Sequence, residues 1–410
     1  MDNIIVGLDI GTTKVCAVVA STDEHGRVIV LGLGRSPNEG MMRGVVTNID
    51  KTIRSITAAI AEAQSQSGVA IESVIVGIAG DHIQSFQSRG VISISGQEHE
   101  VTQADIDRLV EDTKRIALPS DRKIIHVIPQ EFIIDGQDGV YDPLGMSGIR
   151  MEANVHIITG LVSAAQNIYK CVQRAGLEVS DMVLEPLASS YAVLDDEEKE
   201  VGVVLLDVGG GTTDLAVFEE RTIRHTAVIG IAGKKVTDDI RKGLGINGEQ
   251  AERLKVEDGW AYAPAVVDST PIVLPGVGGR SPIEIDRRLL AQVIQPRMEE
   301  IFEIAALEIK RSGYSKHLSA GIVLTGGGAL IRGTADLARD VLGMPVKLGF
   351  PTGFAGGLVR EIENPAYSTA VGLVLHGLKH LDRAAIKGME KKEKSLGGVF
   401  AKMKGWFDEL

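Results

Sequence analysis

In two segments of the sequence, an apolar stretch is followed by an aspartate, one or more glycines, two threonines and a second apolar stretch. Residues 4–20 read IIVGLDIGTTKVCAVVA, and residues 203–218 read VVLLDVGGGTTDLAVF. An apolar strand that turns through Gly-Thr-Thr leaves backbone N–H groups and hydroxyls free to meet phosphate oxygens. Asp9 and Asp207, at the strand ends, are suited to holding a magnesium ion, mostly through water. Lys14 can reach a terminal phosphate.

One such hairpin is more often a tight turn than a ligand site. Two copies, with their aspartates 198 residues apart, instead predict that a nucleotide binds between two related halves of the chain. The residues predicted to cradle its phosphates are Gly11, Thr12, Thr13, Lys14, Gly209, Gly210, Gly211, Thr212 and Thr213.

A third glycine-rich segment, LTGGGALIRG at residues 324–333, follows another apolar stretch. Alone it would indicate close backbone packing. Beside the two hairpins, Gly326, Gly327 and Gly328 are predicted to form the wall of an adenosine site. No Gly-x-x-x-x-Gly-Lys-Ser/Thr motif occurs, which argues against a P-loop enzyme.

The composition sets the class of protein. The chain has 410 residues, 44% of them hydrophobic and 24% charged, so two globular domains are expected. Its net charge of −12 argues against nucleic-acid binding, which needs a basic face. Cys16 and Cys171 lie in apolar stretches without a metal-binding pattern, so buried free thiols in a reducing cytosol are expected. No run of about 18 apolar residues predicts a membrane-spanning helix.

Alternating helical and strand patterns indicate two copies of one α/β unit. Residues 50–65 have helical apolar spacing, and Thr102 is a plausible helix start three residues before Asp105. Residues 84–160 are predicted to form a subdomain inserted in the first half, with two long ordinary connections as the alternative. Residues 242–308 are predicted to form an insertion in the second half, with a helix from Ile285 that is interrupted near Pro296.

These motifs resemble the superfamily of actin, sugar kinases and heat-shock ATPases. The resemblance implies that ATP and Mg²⁺ bind between the two halves. It also implies that Glu185 positions an attacking water, although a glutamate before Pro186 can simply begin a helix. Glu252 and Lys255 match the superfamily's ribose and adenine contacts; a solvated helix face is the alternative.

The end of the chain carries a different signal. Residues 396–410 read LGGVFAKMKGWFDEL, with apolar side chains at steps of three and four residues, and a Lys-rich stretch precedes them. This pattern is typical of an amphipathic helix lying on an anionic membrane; docking on a protein surface is the alternative. The predicted membrane-contacting residues are Leu396, Val399, Phe400, Met403, Trp406, Phe407 and Leu410.

Taken together, these features resemble the FtsA family of bacterial cell-division proteins over essentially the whole chain. The resemblance implies an actin-like ATPase fold: two duplicated α/β domains facing a nucleotide cleft, an inserted subdomain in each half and a C-terminal amphipathic helix. It implies subdomain 1A over residues 1–83, 161–198 and 366–383, subdomain 1C over 84–160, subdomain 2A over 199–241 and 309–365, subdomain 2B over 242–308, a flexible tether over 384–395 and the helix over 396–410.

The family also implies what the chain binds. It implies ATP-dependent self-assembly, attachment to the cytoplasmic face of the inner membrane at the division septum, and contacts with other division proteins. The tubulin-like FtsZ would bind through its C-terminal peptide at subdomain 2B. The basic candidates for that contact are Arg280, Arg287, Arg288 and Arg297.

One segment departs from the family pattern. Where the family commonly has Gly-Gly and then Asn-His, residues 231–235 read IAGKK. Gly233 is assigned to the nucleotide site, but the contacts made by this turn stay open. Lys234 could add charge near the nucleotide or face water.

Three other classes share the ATPase core. A small-molecule kinase would need a catalytic base in the cleft and would gain nothing from the terminal helix. A chaperone ATPase would need a substrate-binding domain after Gly377, and a pilus-assembly ATPase would lack the membrane helix. For the chain itself, at most slow ATP hydrolysis is expected.

Overall fold

The computed structural model describes residues 4–95, 99–268, 270–274 and 281–390, and only the backbone of residues 381–390. In chain order the first elements are β1 (Ile5–Ile10), β2 (Lys14–Thr22), β3 (Val28–Pro37), β4 (Met41–Met42), β5 (Val45–Val46), α1 (Ile49–Ser67), β6 (Ser73–Ile78), β7 (Gln84–Ser93), α2 (Gln103–Thr113), β8 (Arg122–Ile134), β9 (Gln137–Val140), β10 (Arg150–Leu161), α3 (Val162–Arg174), β11 (Glu178–Leu184) and α4 (Glu185–Val193).

The remaining elements are α5 (Asp196–Val201), β12 (Val203–Val208), β13 (Thr213–Glu219), β14 (Thr222–Ile229), α6 (Gly233–Leu244), α7 (Gly248–Asp258), β15 (Ile272–Leu274), β16 (Ile283–Ile285), α8 (Arg287–Ser312), β17 (Gly321–Thr325), α9 (Thr334–Leu342), β18 (Val346–Leu348), β19 (Gly356–Gly357), α10 (Val359–Ile362) and α11 (Ser368–Glu390). Short 3-10 turns occur at Ala263–Ala265, Gly327–Leu330 and Pro365–Tyr367.

Two sheets repeat one topology and define two lobes. The first lobe has the strand order β3-β2-β1-β6-β11, with β19 beside β3, and the second has β14-β13-β12-β17-β18. In both sheets the first three strands of this order pair antiparallel, and the fourth and fifth strands each pair parallel with the strand before them. The register repeats as well: Asp9 pairs with Cys16, and Asp207 pairs with Asp214. The predicted duplication is therefore confirmed at the level of strand order.

The central strands are almost wholly apolar and buried, as expected for strands covered on both faces. All six residues of β1 are buried, and so are the first four of β12. Helix α1 covers one face of the first sheet, and α8 packs in the core of the second. Helices α4 and α11 lie together in a third apolar cluster that draws side chains from both sheets.

The first insertion forms a separate sheet with the strand order β7-β10-β8-β9. Helix α2 packs on it and begins at the predicted cap, because Thr102 and Asp105 form a reciprocal capping box. The sheet also contacts the second lobe. The Nε2 of Gln130 donates to the carbonyl of Ile223 at 2.7 Å, and the Oγ of Ser85 donates to the carbonyl of Thr226 at 3.2 Å.

Two predictions about helix boundaries are wrong. Helix α8 runs unbroken from Arg287 to Ser312 with Pro296 inside it, because the buried apolar face of the helix outweighs the hydrogen bond that proline removes. Residues 384–390, predicted as part of the tether, are the helical end of α11. The other tether residues, 391–395, lie outside the described residues.

Both cysteines are free and buried, as predicted. Burial raises the pKa of the Cys16 thiol to about 12 and that of Cys171 to about 11. Both side chains are therefore apolar core residues at neutral pH.

Candidate functional site

The two predicted phosphate hairpins face each other at close range. The β1–β2 turn belongs to the first lobe, and the β12–β13 turn to the second. A Cβ placed on Gly210 would lie 2.6 Å from the side chain of Thr13, and one on Gly211 would lie 2.2 Å from the Oγ1 of Thr12. Glycine at both positions therefore lets the two turns approach across the lobes.

A cavity of about 350 Å³ opens between these turns. Apart from Thr213, every phosphate, adenosine and metal residue predicted from the sequence lines it, together with Glu185. The lining comprises Asp9, Ile10, Gly11, Thr12, Thr13, Lys14, Gly44, Glu185, Asp207, Gly209, Gly210, Gly211, Thr212, Asp214, Gly233, Glu252, Lys255, Val256, Gly326, Gly327, Gly328, Leu330, Ile331, Pro365, Ala366 and Thr369.

Thr213 does not line the cavity. It is fully buried, and its hydroxyl donates to the carbonyl of Ile231 at 2.8 Å. As the first residue of β13, it points to the opposite side from Thr212, because side chains alternate along a strand. The structure thus assigns Thr213 to holding the turn before α6.

Four carboxyl groups converge at the base of the cavity. The pKa of Asp9 is raised to about 6, mainly by burial, with Lys14 lowering it and Asp207 raising it. The pKa of Asp214 is raised to about 8, mainly by burial and by Asp207, while a hydrogen bond from Thr212 lowers it. Burial is also the main cause of the raised pKa of Asp207 and of the strongly raised pKa of Glu185. A cluster of this kind favours protonation or a bound cation.

Two hydroxyls orient one of these carboxylates. Ser189 on α4 donates to the Oδ2 of Asp207 at 2.8 Å, and Thr369 on α11 lies 3.4 Å from the same oxygen. Sequence reasoning missed both. It also left Asp214 without a role, although this residue closes the DVGGGTTD segment. Its Oδ1 is buried without a hydrogen-bond partner, while its Oδ2 accepts from Thr212 at 3.0 Å.

Within the described parts of the chain, no three histidine, cysteine or acidic side chains come together closely enough to ligate a metal directly. The oxygen donors of Asp9 and Asp207 are those that magnesium prefers, and this ion commonly keeps several waters. The prediction of a largely water-mediated magnesium site thus stays a prediction.

Lys14 begins β2 and extends across the cavity floor. Its ammonium donates to the carbonyl of Ala366 and lies 4.4 Å from the ring centroid of Tyr367. The ammonium therefore places a positive charge in the cavity, where the carbonyl of Ala366 and the face of the Tyr367 ring stabilise it.

The turn that departs from the family pattern braces the second hairpin. The backbone N–H of Gly233 donates to the carbonyl of Gly209 at 3.1 Å, and that of Lys234 donates to Gly210 at 2.8 Å. These N–H groups are therefore taken up by the protein itself. The side chain of Lys234 is exposed.

The predicted ribose and adenine contacts form a connected group. Lys255 is 9% exposed, and its ammonium donates to Glu252 at 2.7 Å, to Thr237 at 3.0 Å and to the carbonyl of Gly233 at 3.2 Å. The hydroxyl of Thr237 also donates to Glu252. Burial lowers the pKa of Lys255, and Glu252 opposes that shift. The carboxylate of Glu252 is 47% exposed toward the cavity side.

The third glycine motif packs against the second hairpin strand. Gly326 has a φ of +85°, and a Cβ there would lie 2.3 Å from the Oδ1 of Asp207. A Cβ on Gly328 would lie 2.4 Å from the Cγ1 of Val208. This arrangement shows close packing of the motif, whose three glycines also line the cavity. Their function as the adenosine wall stays a prediction.

The four arginines predicted to meet an acidic peptide differ in their surroundings. Arg287 is paired with Asp258 at 2.7 Å and Asp268 at 3.2 Å, and Arg297 is paired with Asp239 at 2.6 Å and with Glu300. Their charges are therefore largely neutralised. Arg288 lines an open groove, and its Nη2 donates to the carbonyl of Val266 at 3.3 Å. Arg280 lies outside the described residues.

The predicted membrane helix, residues 396–410, also lies outside the described residues. In the part of the chain that the structure does describe, no helix combines the length and the apolar character needed to span a bilayer.

We expect Asp214→Asn to flatten the pH dependence of stability. The folded protein holds the proton of Asp214 more tightly than the unfolded chain does, because the pKa is raised from 3.8 to about 8. This contribution to stability is complete below pH 3.8 and is lost as the pH rises through about 8. Asparagine cannot ionise, so at pH 9 the nucleotide-free variant should be more stable than wild type by about 1 kcal/mol or more. At pH 5, nearer the lower end of the window between 3.8 and about 8, the difference should be clearly smaller. Thermal unfolding from pH 5 to 9 measures the difference.

Asp336→Asn is the matched control for this experiment, because Asp336 is exposed and pairs with Arg339 on the surface. If the stabilities of wild type and Asp214→Asn change in parallel with pH, the raised pKa of Asp214 is contradicted.

Comparison with known proteins gives two family matches. A family model described as cell division protein FtsA matches residues 204–372. A second, described as an SHS2 domain inserted in FtsA, matches residues 80–159, which are the residues of the separate four-stranded sheet and its helix. The cell division protein FtsA of Pseudomonas aeruginosa is 48% identical over 375 residues, which cover 92% of this chain and 89% of that protein.

Solved structures extend the comparison of the fold. The PilM–PilN type IV pilus biogenesis complex gives a TM-score of 0.67 at 18% identity, covering 91% of this chain and 98% of the matched chain. MreB5 of Spiroplasma citri bound to ADP gives 0.54 at 16% identity, covering 95% and 98%. These likenesses confirm the predicted actin-like ATPase fold.

Proposed function

This chain belongs to the FtsA family of cell division proteins, and we propose that it is an ATP-binding, self-assembling anchor for the tubulin-like FtsZ. It would act as a peripheral protein on the cytoplasmic face of the inner membrane, at the division septum. The cavity between the duplicated hairpins carries the ATP part of this proposal. Family membership argues against the small-molecule kinase, chaperone and pilus-assembly alternatives.

The arrangement of the cavity supports ATP as the ligand. The two turns line the cavity from both lobes with glycines and threonines and approach each other closely, which suits a chain of phosphates. Lys14 supplies a positive charge beside them. Lys255 and Thr237 hold the carboxylate of Glu252, which offers an acceptor for ribose hydroxyls. Gly326, Gly327 and Gly328 also line the cavity and would form the wall on the adenosine side.

Bound magnesium would neutralise phosphate charge and stabilise the ionised carboxylates. We expect Asp9 and Asp207 to hold the ion through water, with Ser189 and Thr369 fixing the carboxylate of Asp207. Glu185 would orient a water for attack on the terminal phosphate. Because burial favours its protonated form, which is a poor base, we expect hydrolysis to be slow at most.

A groove in the second insertion supports binding of the FtsZ C-terminal peptide. It measures about 520 Å³ and is lined by Ala263, Pro264, Arg288, Gln292, Gln295, Pro296 and Glu299. Val267 is 91% exposed and Leu289 is 49% exposed; they neighbour Val266 and Arg288 in the sequence. One basic side chain beside apolar surface suits a short peptide that has both acidic and apolar residues.

Membrane attachment rests on the sequence of residues 396–410. A single amphipathic helix binds anionic lipid reversibly. Self-assembly would present many such helices at once and raise their effective concentration at the membrane. We therefore propose that the ATP-bound form assembles on the membrane and holds FtsZ there.

Co-sedimentation with vesicles tests this proposal. With vesicles containing anionic phospholipid, FtsZ and Mg·ATP, we expect the wild-type protein to pellet and to carry FtsZ with it. Trp406→Glu places a charge on the apolar face of the helix and should leave at least about 90% of the protein in the supernatant. Omitting ATP should reduce the amount pelleted, since fewer helices would act together.

Lys402→Glu provides a matched control off the apolar face: it should lower binding to anionic vesicles in a salt-dependent way, without abolishing it. Equal pelleting of wild type and Trp406→Glu would overturn the membrane assignment. Recruitment of protein but not of FtsZ would overturn the anchor function.

A further inference from the structure

The hairpin of β4 and β5 carries an arginine in a backbone conformation that arginine rarely adopts. Met42 pairs with Val45, so Arg43 and Gly44 form a two-residue turn. Their φ angles are +50° and +77°. Two positive φ angles are typical of a type I′ turn, which favours asparagine followed by glycine. Arginine at the first position is sterically unfavourable, and such local strain often accompanies function.

The turn is held beside the first phosphate hairpin. Gly44 lines the cavity, and its N–H lies 3.4 Å from the Oγ1 of Thr12. On the other side, a Cβ on Gly44 would lie 2.6 Å from the carbonyl of Ala79 and 2.7 Å from the Cα of Gly80. These contacts on both sides therefore hold the turn beside the cavity, and the side chain of Arg43 starts just outside the residues that line it.

The side chain of Arg43 extends toward the second lobe. Its Cδ lies 3.7 Å from the position of a Cβ on Gly230, which follows β14. The hairpin thus bridges the mouth of the cleft.

The guanidinium of Arg43 is available to a ligand. Arg43 is exposed, and within the part of the chain that the structure describes it has neither an ion pair nor a side-chain hydrogen bond. The two lysines of the cavity differ from it, since Lys14 donates to Ala366 and Lys255 is bound to Glu252. A free arginine beside an anion site can bind phosphate oxygens with two parallel N–H groups.

We propose that Arg43 binds the terminal phosphate of the nucleotide and thereby makes the cleft prefer a triphosphate to a diphosphate. This inference rests on the proposed ATP binding. The side chain already approaches Gly230 of the second lobe without nucleotide, and contact with the third phosphate would add a charged link across the cleft that a diphosphate cannot provide. Arg43 would then couple the state of the nucleotide to closure of the cleft.

Titration calorimetry with Mg·ATP and Mg·ADP tests the proposal. Arg43→Asn is the informative variant, because it removes the guanidinium and creates the Asn-Gly pair that a type I′ turn favours. We expect it to weaken ATP binding about tenfold or more and ADP binding less than about threefold, with an unchanged or higher thermal midpoint. Arg43→Lys should fall between it and wild type, because an ammonium lacks the fork of donors.

Arg54→Ala is the matched control, since Arg54 is an exposed arginine on α1 and should leave both affinities unchanged. If Arg43→Asn lowers the affinities for ATP and ADP equally, or lowers neither, the assignment of Arg43 is overturned while the ATP site stands. Failure of the wild-type protein to bind either nucleotide would instead overturn the proposed function, and this inference with it.

Discussion

Gly211→Val is expected to weaken Mg·ATP binding by about 100-fold or more, equivalent to about 2.7 kcal/mol. A Cβ at this position would lie 2.2 Å from the Oγ1 of Thr12 and 2.7 Å from its Cβ. Rotating the threonine cannot relieve the second contact, because it involves an atom attached to the backbone. The two hairpins must therefore separate, and valine would also occupy part of the space between them. Calorimetry on purified protein gives the affinity.

Gly356→Val is the control for this measurement. A Cβ on Gly356 would meet nothing within 4 Å, so the substitution adds the same atoms without a clash and should leave the affinity within about twofold. Asp9→Ala should also weaken binding, but by removing a carboxylate rather than by steric exclusion. Wild-type affinity in Gly211→Val would remove the facing hairpins from the nucleotide site.

Much of the duplicated fold could be predicted because its signals are local. The apolar strands, the glycine turns and the capping box at Thr102 each depend on residues a few positions apart. The repeat of these signals was enough to predict two related lobes. The strand order then repeats in both sheets.

Features that depend on distant contacts could not be predicted in the same way. Pro296 suggests a helix break, yet burial of residues along α8 keeps the helix continuous. The contact of Gln130 with the carbonyl of Ile223 joins residues 93 positions apart. The residue pattern around Gln130 or around Ile223 does not indicate that these two residues meet.

The same distinction applies to the site. The glycines and aspartates of the hairpins are visible in the sequence because they form a short motif. Ser189 and Thr369 orient Asp207 from two helices that are far apart in the chain, and neither belongs to a recognisable pattern. Arg287 and Arg297 appear available in the sequence, but their acidic partners come from other segments.

The crossing of α4 and α11 leads to the second large expected effect. A Cβ on Gly372 of α11 would lie 1.9 Å from the carbonyl oxygen of Ala188 on α4 and 3.0 Å from the backbone nitrogen of Ser189. Backbone atoms cannot rotate away, so even alanine would push the helices apart. We expect Gly372→Ala to destabilise the protein by about 3 kcal/mol, although alanine favours a helix by about 1 kcal/mol over glycine.

Gly377→Ala on the same helix is the matched control for this prediction. Its Cβ would approach the Cδ1 of Ile75 at 2.4 Å and the Cγ2 of Ile5 at 2.9 Å. The Cδ1 of Ile75 is the end of its side chain and can rotate away, and the Cγ2 of Ile5 needs to shift only slightly. We therefore expect a loss of about 1 kcal/mol or less, well below that of Gly372→Ala. Thermal unfolding of both variants without nucleotide compares them. Equal midpoints would show that the helices can separate without cost.

The crossing matters for the site because Ser189 and Thr369 lie on the two helices that meet there. The hydroxyls of these residues lie 3.0 Å apart, and both face the Oδ2 of Asp207. Spreading the helices at Gly372 would therefore also release that carboxylate. Gly372→Ala should then lose affinity for Mg·ATP at temperatures where it is still folded, whereas Gly377→Ala should keep it. Loss of stability without loss of affinity would limit the crossing to a structural function.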